Sequence, residues 1–246
     1  TKREPPYEFQ VFFSKSTDGG RTFTADRSAT GHKPFGVCDC CRTAIEVGPT
    51  GEIVIAYRDV NEQFVREIYL VRSTDGGRSF SEPVRVSTGG WRFGGCPADG
   101  PSLVIDQAGK VHLAWMDGRA GSWNVYYAVS NTGVTFGENQ RVSRDPTLAE
   151  TPHKALWGSG GHPALTVDPT GRAILAWEDK RGGGKIYVAR ATTTTVTSPE
   201  RVNDVHDSTH RSYPRLVAAE DGSVFVVWMD KRNGTSEIYL SVLQLS

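Results

Sequence analysis

The feature of this sequence that most constrains its fold is an internal repeat. Short runs rich in β-branched residues recur around an aromatic residue at intervals of 57, 57, 61 and 52 residues, at Phe12, Tyr69, Tyr126, Tyr187 and Tyr239. Upstream of the last four lies a second run that ends in an aromatic residue and an acid, at Asp59, Asp117, Asp179 and Asp230. A fixed period of this kind indicates one structural unit used several times.

Each unit is predicted to be a meander of four antiparallel strands, A to D. The glycine-containing turns GPTGE, DQAGK, DPTGR and AEDGS precede the acid-ended runs and suit tight hairpins. In one unit the strands are expected at 42–47, 52–58, 66–72 and 80–87. Helical signals are nearly absent. Because one such sheet cannot bury both faces alone, the pattern predicts an all-β fold, a β-propeller whose blades stack radially.

The chain is expected to form a single propeller domain over residues 1–246. Its units fall at about 7–28, 42–87, 101–143, 162–203 and 213–246, and the predicted strands in them number 2, 4, 4, 4 and 3. The first and last blades are therefore incomplete. A closed five-bladed ring needs three more strands, whereas six blades need seven. We expect five blades, with six as the alternative, and we expect a segment upstream of Thr1 or a neighbouring chain to complete the ring.

Two turns between strands C and D share the pattern Ser-x-Asp-x-Gly-x-x-aromatic. Their residues are Ser16, Asp18, Gly20 and Phe23 in the first turn, and Ser73, Asp75, Gly77 and Phe80 in the second. The aspartate can accept backbone N–H bonds within its own turn, the glycine permits the reversal, and the aromatic residue packs the turn onto the sheet. We therefore expect a structural and not a catalytic role. The pattern resembles the Asp-box, or BNR repeat, of the sialidase-like propellers.

That resemblance implies a sialidase-like propeller and, more loosely, a glycan ligand. Sialidases use a tyrosine nucleophile helped by a glutamate, an aspartate as acid and base, and three arginines that hold the substrate carboxylate. Tyr213, in the Ser-Tyr-Pro-Arg-Leu run that opens the last unit, is similar in position to the nucleophile. However, the chain has no Arg-Ile-Pro motif before the first Asp-box, and the sequence assigns neither a glutamate partner nor an arginine triad. An incomplete sialidase site is the expectation.

The long loops between units concentrate the chain's cysteines and histidines. All four Cys and five of the six His lie in the loops 31–42, 87–100, 144–162 and 203–213. Cys38, Cys40 and Cys41 occupy one loop, and Cys96 lies in the corresponding loop of the next unit. Two disulfides are one interpretation, because the count is even. A thiolate site for copper(I) or zinc, with His153 as a further ligand, is another, and a free or catalytic thiol is the third.

The same loops supply candidate ligand-binding residues that do not recur from unit to unit: Arg42, Trp91, Arg92, Asp99, Trp157, His206 and His210. By contrast, the Asp-x-Arg triplet recurs in three units, through Arg119, Arg181 and Arg232. A repeated pair is typical of a structural contact. The non-recurring residues are better candidates for a unique site.

Charge restricts the partners. The 28 basic and 28 acidic residues cancel, and no dense Lys/Arg block exists, which argues against nucleic acid. No apolar run approaches the roughly 18 residues of a membrane-spanning helix. The sequence thus predicts an extracellular or periplasmic protein that binds a small molecule, glycan or metal ion, with copper or zinc as the metal, on the face formed by the long loops. The alternative is a glycoside hydrolase acting on sialic acid or a related glycan.

Overall fold

The computed structural model of the chain describes residues 9–31, 36–143, 160–180, 184–204 and 209–244. Within these ranges the secondary structure consists of β-strands and turns. The strands are β1 (Phe12–Phe13), β2 (Arg27–Ser28), β3 (Ala44–Val47), β4 (Ile53–Val60), β5 (Val65–Ser73), β6 (Val84–Arg85), β7 (Trp91–Arg92), β8 (Ser102–Ile105), β9 (Val111–Asp117), β10 (Asn124–Ser130), β11 (Gln140–Arg141), β12 (Gly161–Val167), β13 (Ala173–Asp179), β14 (Lys185–Ala191), β15 (Glu200–Arg201), β16 (Arg211–Ala218), β17 (Ser223–Asp230) and β18 (Glu237–Gln244).

The strands form five antiparallel sheets in chain order. They are β1–β2, β3–β6 with β7 added to β5, β8–β11, β12–β15, and β16–β18. The prediction of antiparallel four-stranded meanders is confirmed for the three middle sheets. The sequence did not indicate β7, which is only two residues long and pairs with the start of β5.

The first strands of successive sheets lie side by side. β3 contacts β8, β8 contacts β12, and β12 contacts β16. Residues of these four strands and of the segments that enter them line a shared cavity of about 310 Å³. The strand A edges therefore point toward one centre, as they do in a propeller.

The repeated aromatic residues are cross-strand partners on neighbouring strands B and C. Their rings stack in each of the last four sheets, with centroids 6.2, 6.2, 6.0 and 6.2 Å apart, in the pairs Tyr57–Tyr69, Trp115–Tyr126, Trp177–Tyr187 and Trp228–Tyr239. Directly opposed aromatic side chains stabilise a sheet pair beyond the apolar area that they bury. This contact explains why aromatic residues recur at both positions in each of these four units.

The two Ser-x-Asp-x-Gly turns have the same hydrogen bonds. In the second turn, Asp75 Oδ1 accepts from the backbone N of Arg78 (2.9 Å) and Ser79 (3.0 Å). In the first turn, Asp18 accepts from the corresponding two residues, each at 3.0 Å. The hydroxyl groups of Thr22 and Ser79 also donate to these carboxylates, each at 2.6 Å, and together with the backbone bonds they lower the pKa of both carboxyl groups.

The aromatic residues of the two turns differ in their surroundings. Phe80 packs edge-on against Phe13 of the first sheet, with ring centroids 5.5 Å apart. Phe23 is 65% exposed, so the expectation that it packs its turn onto a sheet does not hold. Phe80 packs against the sheet that precedes its own sheet in the chain. The only described residues before the first sheet are 9–11. The described chain therefore offers Phe23 no equivalent surface.

The described residues contain no helix with the length and apolar character needed to cross a membrane.

Candidate functional site

The cysteine-rich loop is fixed on the end of β4. Val37 forms a bridge with Asp59, and the backbone N of Cys38 donates to the carbonyl of Arg58 at 2.8 Å. The chain then reverses, because the N of Cys41 donates to the carbonyl of Cys38 at 3.2 Å. A tight turn over residues 38–41 therefore holds three cysteines at the edge of the second sheet.

The short strand β7 places Cys96 beside this turn. Arg66 pairs with Trp91 and Val65 with Arg92, so the loop after β7 runs along the start of β5. Cys96 forms a disulfide with Cys40 across a Cα–Cα distance of 6.3 Å. The bond joins the loop that precedes β3 to the loop that follows β7.

The other two cysteines are free thiols. Cys38 is buried, with 3% of its surface exposed, and Cys41 is half-buried. Their Sγ atoms lie 2.8 Å apart, and Cys38 Sγ lies 3.5 Å from Cys40 Sγ. The turn thus combines a dithiol with one sulfur of the disulfide, and these three sulfurs lie within 4.8 Å of one another.

Two buried arginines surround the thiols. Arg66 Nη1 donates to Cys38 Sγ at 3.0 Å, and its other nitrogens donate to the carbonyls of Phe93 (2.9 Å) and Gly95 (2.6 Å). Arg58 is 1% exposed, and its charge favours the thiolate form of both cysteines. Its Nη1 makes no hydrogen bond to any described residue. A buried guanidinium N–H without a partner favours a nearby anion.

These surroundings shift the pKa values of the two thiols in opposite directions. A hydrogen bond from Cys41, opposed by burial and assisted by Arg66 and Arg58, lowers the pKa of Cys38 to about 6. The same hydrogen bond, together with burial, raises the pKa of Cys41. At neutral pH the pair therefore carries one negative charge, on Cys38, and Cys41 is the proton donor.

The four cysteines therefore divide into two pairs with different chemistry. The sequence left open two disulfides, a metal site built from the cysteines, and free thiols. The structure has one disulfide, Cys40–Cys96, which takes those two sulfurs out of a four-thiolate site, and it has two free thiols. His153, the expected further ligand, lies outside the described residues.

Asp99 connects three of the long loops. It is 1% exposed; its Oδ1 accepts from Arg42 Nη2 at 2.9 Å, and its Oδ2 accepts from the backbone N of His162 at 2.7 Å. Its carbonyl accepts from Arg58 Nε at 3.2 Å. Asp99 is therefore a buried connection between loops, whereas Arg42 is exposed and lines the central cavity with Arg215.

A second cluster of polar side chains lies where β12 and β16 begin. The rings of His162 and Tyr213 have centroids 4.4 Å apart, and both residues have positive φ, 48° and 55°. Beneath them, Glu178 is buried, with its Oε1 2.8 Å from His162 Nδ1 and 2.8 Å from Lys180 Nζ. Burial opposes ionisation, but His162 and Lys180 outweigh it and lower the pKa of Glu178. Such left-handed backbone in non-glycine residues is strained.

The remaining candidates lie elsewhere. Trp91 is buried in an aromatic cluster, stacked on Phe93 (centroids 5.1 Å apart) and edge-on to Trp123 (6.5 Å). Arg92 is exposed and donates through Nε to the carbonyl of Gln63 at 2.8 Å. His210 is exposed at the start of β16. Trp157 and His206 lie outside the described residues.

Two of the three Asp-x-Arg triplets make the same local contacts, and Arg181 of the third lies outside the described residues. Asp117 accepts from Trp115 Nε1 at 3.0 Å and binds Arg119, whose guanidinium lies 4.4 Å from the Tyr126 ring centroid. The last sheet repeats this arrangement at Trp228, Asp230, Arg232 and Tyr239. These contacts match the structural role expected of a recurring pair.

Sequence reasoning missed Arg58, Arg66 and Glu178, which lie inside strands. A signal existed: the repeat has Met116 and Met229 where Arg58 and Glu178 stand. A charge at a position where other units have methionine indicates a buried group with a special partner. The candidates taken from the sequence were loop residues, whereas these three residues lie in strands.

The sequence matches no protein-family model and no curated protein. Solved structures do resemble the chain. A protein of unknown function from Dyadobacter fermentans has a TM-score of 0.65 at 17% identity, covering 99% of this chain and 68% of that one. An α-L-arabinanase from Penicillium chrysogenum has a TM-score of 0.57 at 17% identity, covering 97% of this chain and 74% of that one.

A third structure is the NanB sialidase from Streptococcus pneumoniae. Its TM-score is 0.57 at 11% identity, covering 94% of this chain and 34% of that one. At such identities the likeness shows the fold alone. Sialidases and arabinanases are both built on β-propellers, and the successive meanders of this chain align with both. The chain has the fold of the sialidase-like β-propellers.

Proposed function

We propose that this chain is an exported propeller that binds a single copper(I) ion between Cys38 and Cys41. The observation that supports this proposal is the pair of free sulfurs, 2.8 Å apart in a tight turn. Thiolates are the soft ligands that copper(I) prefers among the donors that proteins offer. Both sulfurs belong to one turn, which is closed by the Cys41 N–Cys38 carbonyl hydrogen bond, so a local opening of this turn would separate them enough to hold the ion.

Charge favours copper(I) over zinc. Two thiolates and one copper(I) carry a net charge of −1, which the buried guanidinium groups of Arg58 and Arg66 would offset. Structural zinc sites usually take four ligands. Among the described residues, the ligand cluster at this turn contains only Cys38, Cys40 and Cys41, and Cys40 is held in a disulfide.

The protonation states of the two thiols make copper(I) binding depend on pH. Cys38 is poised as a thiolate, whereas Cys41 holds its proton at neutral pH. Binding therefore releases the proton of Cys41, and affinity should increase with pH. The disulfide supports export, since such bonds persist mainly in oxidising compartments.

The test is an anaerobic titration with copper(I), followed by equilibrium competition with a chromophoric chelator. We expect one ion per chain, and we expect either Cys38→Ser or Cys41→Ser to abolish binding. The matched control is the double variant Cys40→Ser/Cys96→Ser, which removes the disulfide and should retain the ion. Binding that survives both single substitutions contradicts the proposal, as does no binding by protein with two titratable thiols.

Glycoside hydrolysis is the second candidate, and one observation favours it. Tyr213 is 51% exposed and lies over His162, and Glu178 Oε2 lies 3.4 Å from the backbone N of Tyr213. A glutamate beside this tyrosine is the element that the sequence did not assign. The Tyr213 side chain, held by strained backbone at the edge of the centre, is where a nucleophile would stand.

A fluorogenic sialoside and a fluorogenic arabinoside test this second function. We expect turnover of one of them, lost by at least about a hundredfold in Tyr213→Phe. Tyr239→Phe, at the outer part of the last sheet, is the control and should retain activity. No turnover of either substrate by the folded protein excludes this candidate.

A further inference from the structure

The Cys38–Cys41 dithiol and the Cys40–Cys96 disulfide differ in their access to solvent. Cys96 is exposed, and Cys40 and Cys41 are half-buried, whereas Cys38 is 3% exposed. The sulfurs nevertheless form a continuous chain, from Cys96 through its bond to Cys40, then 3.5 Å to Cys38, then 2.8 Å to Cys41. A redox partner that meets the surface disulfide is one transfer away from the buried thiol.

We propose that these four cysteines form a thiol–disulfide relay, in which a disulfide moves between the surface pair Cys40–Cys96 and the inner pair Cys38–Cys41. Thiol–disulfide exchange requires a thiolate placed next to a disulfide sulfur. Cys38 Sγ lies 3.5 Å from Cys40 Sγ, and Arg66 Nη1 donates a hydrogen bond to the Cys38 sulfur at 3.0 Å.

The transfer consists of two displacements. In the first, the Cys38 thiolate attacks Cys40 Sγ; a Cys38–Cys40 bond forms, the Cys40–Cys96 bond breaks, and Cys96 leaves with the electron pair and takes a proton from solvent. In the second, Cys41 loses its proton to solvent and attacks Cys38 Sγ. The Cys38–Cys41 bond forms, and Cys40 leaves as a thiolate and is protonated. The chain gains and loses no electrons overall.

External oxidation is then expected to begin at Cys96. Reduced Cys96 attacks a low-molecular-weight disulfide and forms a mixed disulfide, and one thiol of the oxidant leaves. Cys40 then attacks Cys96 Sγ; the Cys40–Cys96 bond forms, and the second thiol of the oxidant leaves. The relay moves this bond to Cys38–Cys41. The proposal concerns the same inner thiols as the copper site but does not depend on copper, because every step occurs without metal.

The test uses the full chain, reduced and metal-free, and glutathione disulfide as the oxidant. Acid quenching, alkylation and mass spectrometry of linked peptides follow each pair over time. In the wild type we expect a mixed disulfide on Cys96, then Cys40–Cys96, then Cys38–Cys41. In Cys96→Ser, formation of Cys38–Cys41 should slow by at least about tenfold, and Cys40→Ser should behave in the same way.

Several results would overturn the relay. They are a first mixed disulfide on Cys38 or Cys41 in the wild type, an unchanged rate of Cys38–Cys41 formation in Cys96→Ser, and no Cys38–Cys41 bond at all. The cysteine that forms the first mixed disulfide in the wild type tests the relay even if a serine variant does not fold. The relay test contains no metal, so its outcome is independent of the copper titration. The relay can fail while copper still binds, and copper binding can fail while the relay still operates, so the two proposals are tested separately.

Discussion

Arg66 Nη1 lies 3.0 Å from the sulfur of Cys38, and both side chains are buried. The remaining nitrogens of Arg66 bind two carbonyls of the loop that carries Cys96. One guanidinium therefore holds the second cysteine loop in place and stabilises negative charge on the first. Loop position and thiol chemistry at this site depend on the same side chain.

Replacing Arg66 should make Cys38 less reactive. The hydrogen bond from Cys41 is the largest cause of the low pKa of Cys38, about 6, and Arg66→Met keeps it; the variant loses the charge of Arg66 and its hydrogen bond, so the pKa should rise part of the way toward the ordinary range of thiols. At neutral pH the rate of Cys38 alkylation by iodoacetamide should then fall about threefold. Mass spectrometry of the labelled peptide measures this rate.

Arg92→Met is the control for that substitution. Arg92 is exposed on the neighbouring strand β7 and binds only one carbonyl among the contacts that the structure gives it, that of Gln63. Its loss should leave the alkylation rate unchanged. Equal rates in Arg66→Met and the wild type would show that Arg66 does not activate the thiol.

Two glycines in equivalent turns should respond differently to alanine. Gly20 and Gly77 have φ of 86° and 82°, but a Cβ at Gly20 meets nothing within 4 Å, whereas one at Gly77 would collide with the Phe13 ring. Gly20→Ala should cost about 1 kcal/mol of unfolding free energy, from the left-handed backbone alone. Gly77→Ala should cost a further 1–3 kcal/mol or so because of the collision.

Urea unfolding of both variants measures this difference. Adding Phe13→Leu to Gly77→Ala should recover part of the loss, since the smaller side chain leaves room for the methyl group. Equal costs at the two glycines would mean that Phe13 does not pack against the second turn.

Asp230 should make stability depend on pH in the acid range. Burial opposes its ionisation, but hydrogen bonds from Arg232, Trp228 and Arg211 outweigh burial and lower its pKa to about 2 from 3.8. A depressed carboxyl pKa adds stability above the unfolded pKa, and this stability is lost as pH falls through the folded pKa. The contribution is roughly 2 kcal/mol at neutral pH, disappearing between about pH 4 and pH 2.

Asp230→Asn tests that contribution. We expect a loss of roughly 2 kcal/mol or more at neutral pH, and a difference from the wild type that narrows steadily below about pH 4. Asp204→Asn is the control, because Asp204 also pairs with Arg232 but its side chain is 79% exposed. It should cost less than about 1 kcal/mol. A pH-independent difference for Asp230→Asn would contradict the assignment.

The sequence predicted the sheets well because their signals are local and repeated. Aromatic residues such as Tyr57 and Tyr69 recur at positions that become direct cross-strand partners, and hairpin glycines fix the register. Two features of the sheets were not predicted from the sequence. β7 is too short to carry a pattern, and the exposure of Phe23 depends on which sheet lies beside it. That the propeller has five blades, with six as the alternative, stays a prediction.

For the site, the sequence predicted the gathering of the cysteines but not their pairing. Which of Cys38, Cys40 and Cys41 meets Cys96 depends on how β7 pairs with β5, and no local signal specifies that contact. Likewise, Arg58 and Arg66 are buried because two loops close over them. Such burial is a tertiary effect that residue type alone does not reveal.

X-ray absorption at the copper edge, on protein loaded with copper(I), shows directly which atoms bind the metal. We expect a copper(I) ion with sulfur as its nearest neighbours, two per metal, and the loss of this signal in Cys38→Ser and in Cys41→Ser. A spectrum dominated by nitrogen or oxygen neighbours, or a sulfur signal that persists in both variants, would contradict it.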